Sequence, residues 1–225
     1  MSDPWRTIPT LVGDHVTLRP LTRDDRTALL AAYAPLAGQF TTAIPTAATI
    51  DEWFDVAEAQ TAAGRQLPFA VLDADGVIAG STRFRRMNAR DRRVEIGTTA
   101  YHPRVQRTAV NTEAKRLLLT HAFEQLDCQC VQIRTDFLNR RSRAAIERLG
   151  ARLDGVLRGH SVMPDGRVRD TVVYSILAHE WRGVRANLDA LLAEGDRRCP
   201  RSPISTFMAL TAATSTSPGT QARYC

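Results

Sequence analysis

Gln106-Arg107-Thr108-Ala109-Val110-Asn111-Thr112-Glu113-Ala114 opens the segment whose reading decides the fold. Across residues 108–126, Val110, Ala114, Leu117, Leu118 and Ala122 fall on one stripe, a spacing that predicts a long amphipathic helix with one face against a sheet. Just before it, residues 93–101 read as a strand closed by His102-Pro103. Val94, Ile96, Thr98 and Ala100 take one face, and Glu95, Gly97, Thr99 and Tyr101 the other. Just after it, residues 130–135 read as another strand. Asn139 then opens a second helix, which turns Ile146 and Leu149 inward and ends at Gly150.

On the N-terminal side, residues 15–20 form a strand, and Thr22, with Asp25 at the positive end, starts a helix to about Ala34. Thr49-Ile50-Asp51-Glu52 has capping-box form, and Ile50, Trp53, Phe54 and Ala57 keep helical spacing up to Gly64. Residues 67–72 and 77–84 flank the hairpin turn Asp73-Ala74-Asp75-Gly76. On the C-terminal side, residues 152–162 and 167–177 flank Pro164-Asp165-Gly166, and Val184, Leu188, Leu191 and Leu192 mark a last helix. The expectation is an α/β chain, with a mixed central sheet of about six to seven strands flanked by helices. Residues 1–195 read as one domain, and the Ser-, Thr-, Ala- and Pro-rich residues 196–225 as a disordered tail.

Composition fits one soluble domain, with 44% apolar and 24% charged residues in 225. No run of about 18 apolar residues suggests a membrane span, and Met1-Ser2-Asp3-Pro4-Trp5-Arg6 lacks the order of a secretion signal, so a cytoplasmic location is expected. Cys128 and Cys130, with Cys199 and Cys225, show neither a zinc spacing nor a disulfide framework. Reduced thiols and no metal are expected. The net charge is +6, three units of it from residues 196–225, which leaves a mildly basic domain suited to an anionic nucleotide ligand. Arg83, Arg85, Arg86, Arg90, Arg92 and Arg93 crowd one region. As a nucleic-acid surface they would bind with steep salt dependence; such a run is ordinarily a solvated face, and no nucleic-acid partner is expected.

The residues 106–114 resemble the cofactor signature of GNAT superfamily acetyltransferases: Gln or Arg, two residues, Gly, one residue, then Gly or Ala. Ala109 stands at the first glycine position and Asn111 at the second. Thr135-Asp136-Phe137-Leu138-Asn139-Arg140-Arg141-Ser142, running on to Leu149-Gly150, is similar to the family's Asn-x-x-Ser pattern. Leu157-Arg158-Gly159-His160, residues 165–170 and Tyr174-Ser175-Ile176-Leu177 resemble the closing hairpin of RimJ- and RimL-like members, so that the likeness spans roughly residues 12–192. It implies the GNAT fold and acetyl-CoA as co-substrate. Gln106, Arg107, Thr108, Ala109, Val110, Asn111 and Thr112 would hold the pyrophosphate at a helix N-terminus, with Asn139 on the pantetheine or acyl end and Ser142 near the sulfur. Read as ordinary structure, the same residues are a helix start capped by Asn111 or Thr112 with Arg107 in solvent, and Asn139 is a second cap.

The resemblance also implies direct attack of an amine on the thioester in a ternary complex, which suits a chain without a Cys–His nucleophile pair. Glu95, on the strand before the cofactor loop, is the candidate base. A surface pair with Arg92 or Arg93 is its structural alternative. Ser142 is the candidate acid, a backbone N–H near Gly97 or Thr98 the oxyanion donor, and Tyr174 and Asp170 are candidate substrate contacts or structural residues. A protein or peptide α-amine is the first acceptor class and a small-molecule amine the second; a cofactor-binding sensor without turnover is the non-catalytic alternative. Monomer and homodimer both fit.

Overall fold

The computed structural model describes residues 3–38 and 44–198, with side chains to residue 195. In chain order the elements are β1 (Leu11–Val12), β2 (Val16–Pro20), α1 (Arg26–Tyr33), α2 (Ile50–Ala62), β3 (Gln66–Asp73), β4 (Ile78–Asn88) and β5 (Arg93–Tyr101). There follow α3 (Ala109–Thr120), β6 (Cys130–Asp136), α4 (Arg140–Arg148), β7 (Arg152–Val162), β8 (Val168–Leu177) and α5 (Trp181–Arg198). The strands form one sheet of eight in the order β1-β2-β3-β4-β5-β6-β8-β7. All neighbours are antiparallel except β5 and β6. The strand beyond the expected six to seven is β1, a two-residue rung on β2 that is too short to show a sequence period.

Period-two alternation divides the core between the two faces of the sheet. Phe69 and Val71 join Phe84, Ile96, Leu118, Ile176 and Leu188 beneath α3 and α5. Ala70, between them, joins Leu29, Tyr33, Ile50 and Phe54 beneath α1 and α2. Each such large side chain contributes roughly 1.5–3 kcal/mol. The first helix begins later than expected: Arg23–Asp25 is a 3-10 turn, whose Asp25 carboxylate accepts from the Thr22 N–H at 3.0 Å and from Arg19. Residues 199–225, with Cys199, Cys225 and most of the expected tail, lie outside the described residues; α5 extends to Arg198, past the expected domain end at residue 195. Cys128 is buried, and burial pushes its thiol up to about 12.

Strand β5 departs from simple alternation. Ser81 pairs with Ala100 and Arg83 with Gly97, so Thr98 and Thr99 together oppose Thr82 in a β-bulge. Thr98 takes φ +48°, an unusual conformation for a β-branched residue. The expected face assignment therefore holds for Val94 and Ile96 and reverses beyond them. Thr98 accepts from Arg85 on the α1/α2 side, Thr99 meets Lys115 of α3, and Tyr101 joins the α3-side core.

Candidate active site

Pairing between β5 and β6 runs from Arg93↔Cys130 to Ile96↔Ile133 and stops there. Beyond Ile96 the two strands part, and the bulge at Thr98 and Thr99 lies on the diverging arm. A cleft of about 2730 Å³ occupies the fork, lined by Leu36 and Trp53 on the α1/α2 side and by Ala109, Lys115 and Ile146 on the α3/α4 side. It is larger than an ordinary small-molecule pocket because it is open to both faces of the sheet.

At one mouth stands the N-terminus of α3. Thr108 is its cap, with extended backbone and a side chain that accepts from the Val110 N–H at 3.3 Å. The cap is therefore neither Asn111 nor Thr112, both of which lie within the helix. Its hydroxyl also donates to the Val105 carbonyl at 2.7 Å, fixing the loop. Arg107, at φ +65°, supplies the left-handed residue of this loop. Gln106, Arg107, Thr108, Ala109, Asn111 and Thr112 all border the cleft, whereas the Val110 side chain turns into the core. The Thr112 hydroxyl accepts from Arg148 at 2.9 Å.

The second motif meets the first across the cleft. The Asn139 side chain caps α4 by accepting from the Ser142 N–H at 3.0 Å. Arg141, in the first turn of α4, donates to Gln106 Oε1 at 3.0 Å, while Gln106 Nε2 donates to the Tyr101 carbonyl at 2.8 Å. Asn139, Ser142 and Arg140 line the cleft beside the α3 start.

Glu95 reaches the cleft from the α1/α2 side and is 4% exposed. Instead of the alternative surface pair with Arg92 or Arg93, it meets Arg134 Nε at 3.2 Å, Arg86 Nε at 3.4 Å and Arg85 Nε at 3.6 Å. The register explains Arg85 and Arg134, since Glu95 lies opposite Arg85 across β4 and opposite Gln132, two residues from Arg134, across β6; Arg86 reaches it where β4 breaks register at φ +49°. The arginine run is likewise not one solvated face, since Arg83 is buried and Arg85 and Arg86 turn toward Glu95.

Two candidate substrate contacts do not border the cleft. Tyr174 is 1% exposed beneath α4, donating to Glu147 at 2.7 Å and accepting from Arg143 at 3.3 Å. Asp170 accepts from the Gly159 N–H at 2.7 Å and holds the terminal hairpin where Gly159 turns at φ +59°. The packing of α4 engages the Tyr174 hydroxyl, and the β7–β8 hairpin engages Asp170 Oδ1.

The model of the acetyltransferase (GNAT) domain matches residues 15–152, more than half of the chain, across the fork and both helix starts. The chain belongs to the GNAT acetyltransferase family. Among GNAT proteins it is 33% identical over 109 residues to YdaF of Bacillus subtilis (strain 168), provisionally described as a ribosomal N-acetyltransferase; the match spans 48% of this chain and 58% of YdaF. A crystal structure from T. thermophilus, provisionally described as an acetyltransferase, is 36% identical, with TM-score 0.72 over 83% of this chain and 98% of that one. Mycobacterium smegmatis RimJ in complex with CoA-disulfide shares the fold, at 22% identity and TM-score 0.71 over 85% of this chain and 97% of RimJ.

Three buried charged side chains of this GNAT domain were not singled out from the sequence, Arg83 being read only within a solvated arginine run, because their types usually mark solvent-facing positions. Lys115, 5% exposed in α3, donates to Thr99 Oγ1 at 3.0 Å, and burial lowers its ammonium to about 7. Glu113, 6% exposed, accepts from the backbone N–H groups of Asp14, His15 and Val16 at 2.9, 2.5 and 2.9 Å, fastening the entry to β2 onto α3. Arg83, 6% exposed, donates to Gln66 Oε1 at 3.1 Å with its guanidinium 4.5 Å from the Trp53 ring centroid. Each could have been found only by noting a charged residue at a core-facing phase of its element.

Proposed function

We propose that this chain transfers an acetyl group from acetyl-CoA to a primary amine, with the α-amine of a protein or peptide as the acceptor class. The observation that carries this reading is the fork between β5 and β6, with the capped start of α3 at one mouth and Glu95 on the opposite face. Helix-terminal N–H groups and the positive dipole end suit a pyrophosphate. The backbone from Gln106 to Thr112, with the Arg107 and Asn111 side chains, would hold it. The strand edge freed beyond Ile96 offers backbone groups to an extended pantetheine arm. Asn139 and Ser142 flank the inner end of that path.

Transfer requires a neutral amine, donors for the carbonyl oxygen as charge develops, and a proton for the departing thiolate. Glu95 takes the amine proton directly or through water, a backbone N–H near Gly97 or Thr98 serves the oxygen, and Ser142 supplies the proton to sulfur. The description of YdaF as a ribosomal N-acetyltransferase supports a polypeptide acceptor and, with it, a cytoplasmic location. Calorimetric titration with acetyl-CoA tests the donor half on the unaltered protein and on Ala109→Glu, which places bulk and charge at the pyrophosphate. Binding to the first and not the second is expected; no binding to the unaltered protein refutes the reading. Thiol release with serine- and alanine-initiated peptides, against a panel of small amines, then decides the acceptor class.

A further inference from the structure

The acceptor side of the cleft carries more positive charge than its own carboxylates offset. Glu95 faces three guanidiniums, those of Arg85, Arg86 and Arg134. Arg169 Nε, which also borders the cleft, lies 4.0 Å from an Asp136 carboxylate that Arg167 already engages at 2.6 Å. Arg83 is the extreme case. It is 6% exposed and lines the cleft, yet its Nε and Nη2 have no hydrogen-bond partner among the described residues. The contacts it does make, Gln66 Oε1 and the Trp53 ring, carry no negative charge.

An unpaired buried cation costs several kcal/mol, and a guanidinium kept only for packing gains nothing from that cost. Neutralisation does not remove it: burial lowers Arg83 to about 10, which leaves it charged at neutral pH. Two donors in the fork geometry of a guanidinium match a carboxylate or a phosphate. Arg83 pairs with Gly97 across β4 and β5, next to the bulge, and lies two residues along the strand from Arg85, the partner of Glu95. Same-face residues on a strand are roughly 7 Å apart, about two residues of an extended ligand. An amine approaches water-side as an ammonium, so this wall repels a polycationic acceptor and admits one that brings its own anion.

Resting on the acetyl-transfer reading, we infer that the acceptor carries a carboxylate or phosphate within about two residues of its reactive amine, and that Arg83 receives this group. Acidic residues at the second or third position of a peptide and the acid group of a small amino compound share that chemistry. The test is calorimetric titration of the full-length protein, with and without saturating coenzyme A, using Ser-Glu-Glu-amide, Ser-Lys-Lys-amide, free glutamate and phosphoethanolamine. The acidic tripeptide is expected to bind at least about tenfold more tightly than the lysine tripeptide at low salt. Free glutamate or phosphoethanolamine binding as tightly as the acidic tripeptide supports the inference and identifies a small-molecule source.

Arg83→Met, which keeps the apolar stem against Trp53, should erase the preference, and Arg134→Gln, at a more exposed site, should reduce it. Equal affinity for the two tripeptides, preference for the lysine one, or no binding of any acidic probe overturns the inference alone. Failure to bind coenzyme A overturns it together with the reading on which it rests.

Discussion

Lys115 Nζ donates to Thr99 Oγ1 at 3.0 Å, and Thr99 Oγ1 lies 2.7 Å from Thr82 Oγ1, so a buried amine on α3 is tied to the bulge of β5. Burial lowers the ammonium from its ordinary 10.5 to about 7. Between those two values the unfolded chain holds the proton and the native protein does not, so stability rises with pH across the window. Lys115→Met should remove that slope and, at pH 7, raise stability by up to about 4 kcal/mol. Urea unfolding at several pH values measures both; an unchanged slope would place the amine in water.

Glu113 does the opposite work. Its carboxylate satisfies three successive backbone N–H groups where the chain enters β2. Glu113→Ala removes that charged acceptor from all three, including the buried Val16 N–H, and should cost about 2 kcal/mol or more. Denaturant unfolding reads the loss, and hydrogen exchange should show it first at Asp14, His15 and Val16.

Much of the fold was legible because its elements announce themselves locally. The apolar stripe from Val110 to Ala122 gave α3, Asp73 to Gly76 gave the first hairpin turn, and Asn139 with Gly150 bracketed α4. The bulge was not legible, because Thr98 and Thr99 have the same side chain and either could occupy either face; the choice is made by pairing with Thr82 on another strand. The two helix starts at Gln106 and Asn139 showed the cofactor side of the site for the same local reason. The acceptor side was obscured because the partners of Glu95 come from β4 and β6, 9 to 39 positions away in the chain.

Arg107 holds a left-handed conformation that glycine adopts without strain. Arg107→Gly should raise stability by about 1 kcal/mol, while loss of the guanidinium at the pyrophosphate mouth should weaken coenzyme A binding roughly threefold to fivefold. Thermal melting and calorimetry on the same variant separate the two effects. Unchanged affinity would leave this side chain in solvent.

Glu95→Gln preserves shape while removing the charge on which three guanidiniums converge. If Glu95 takes the amine proton, kcat should fall by about 10²-fold or more with coenzyme A affinity nearly intact. A wild-type kcat would return Glu95 to a structural ion cluster. Ser142→Ala should lower kcat by about tenfold, less than Glu95→Gln, because water can replace a hydroxyl as proton donor.

Since β5 and β6 share a ladder only from Arg93 to Ile96, the sheet behaves as two leaves on a short spine. A guest lying in the fork supplies the missing rungs, and its arrival should be felt as stiffening along both leaves, far from the atom that reacts. Melting temperature and amide exchange in β5 and β6 then become gauges of occupancy. Substitutions along the spine, at Val94 or Val131, should retune the grip on a ligand they never touch.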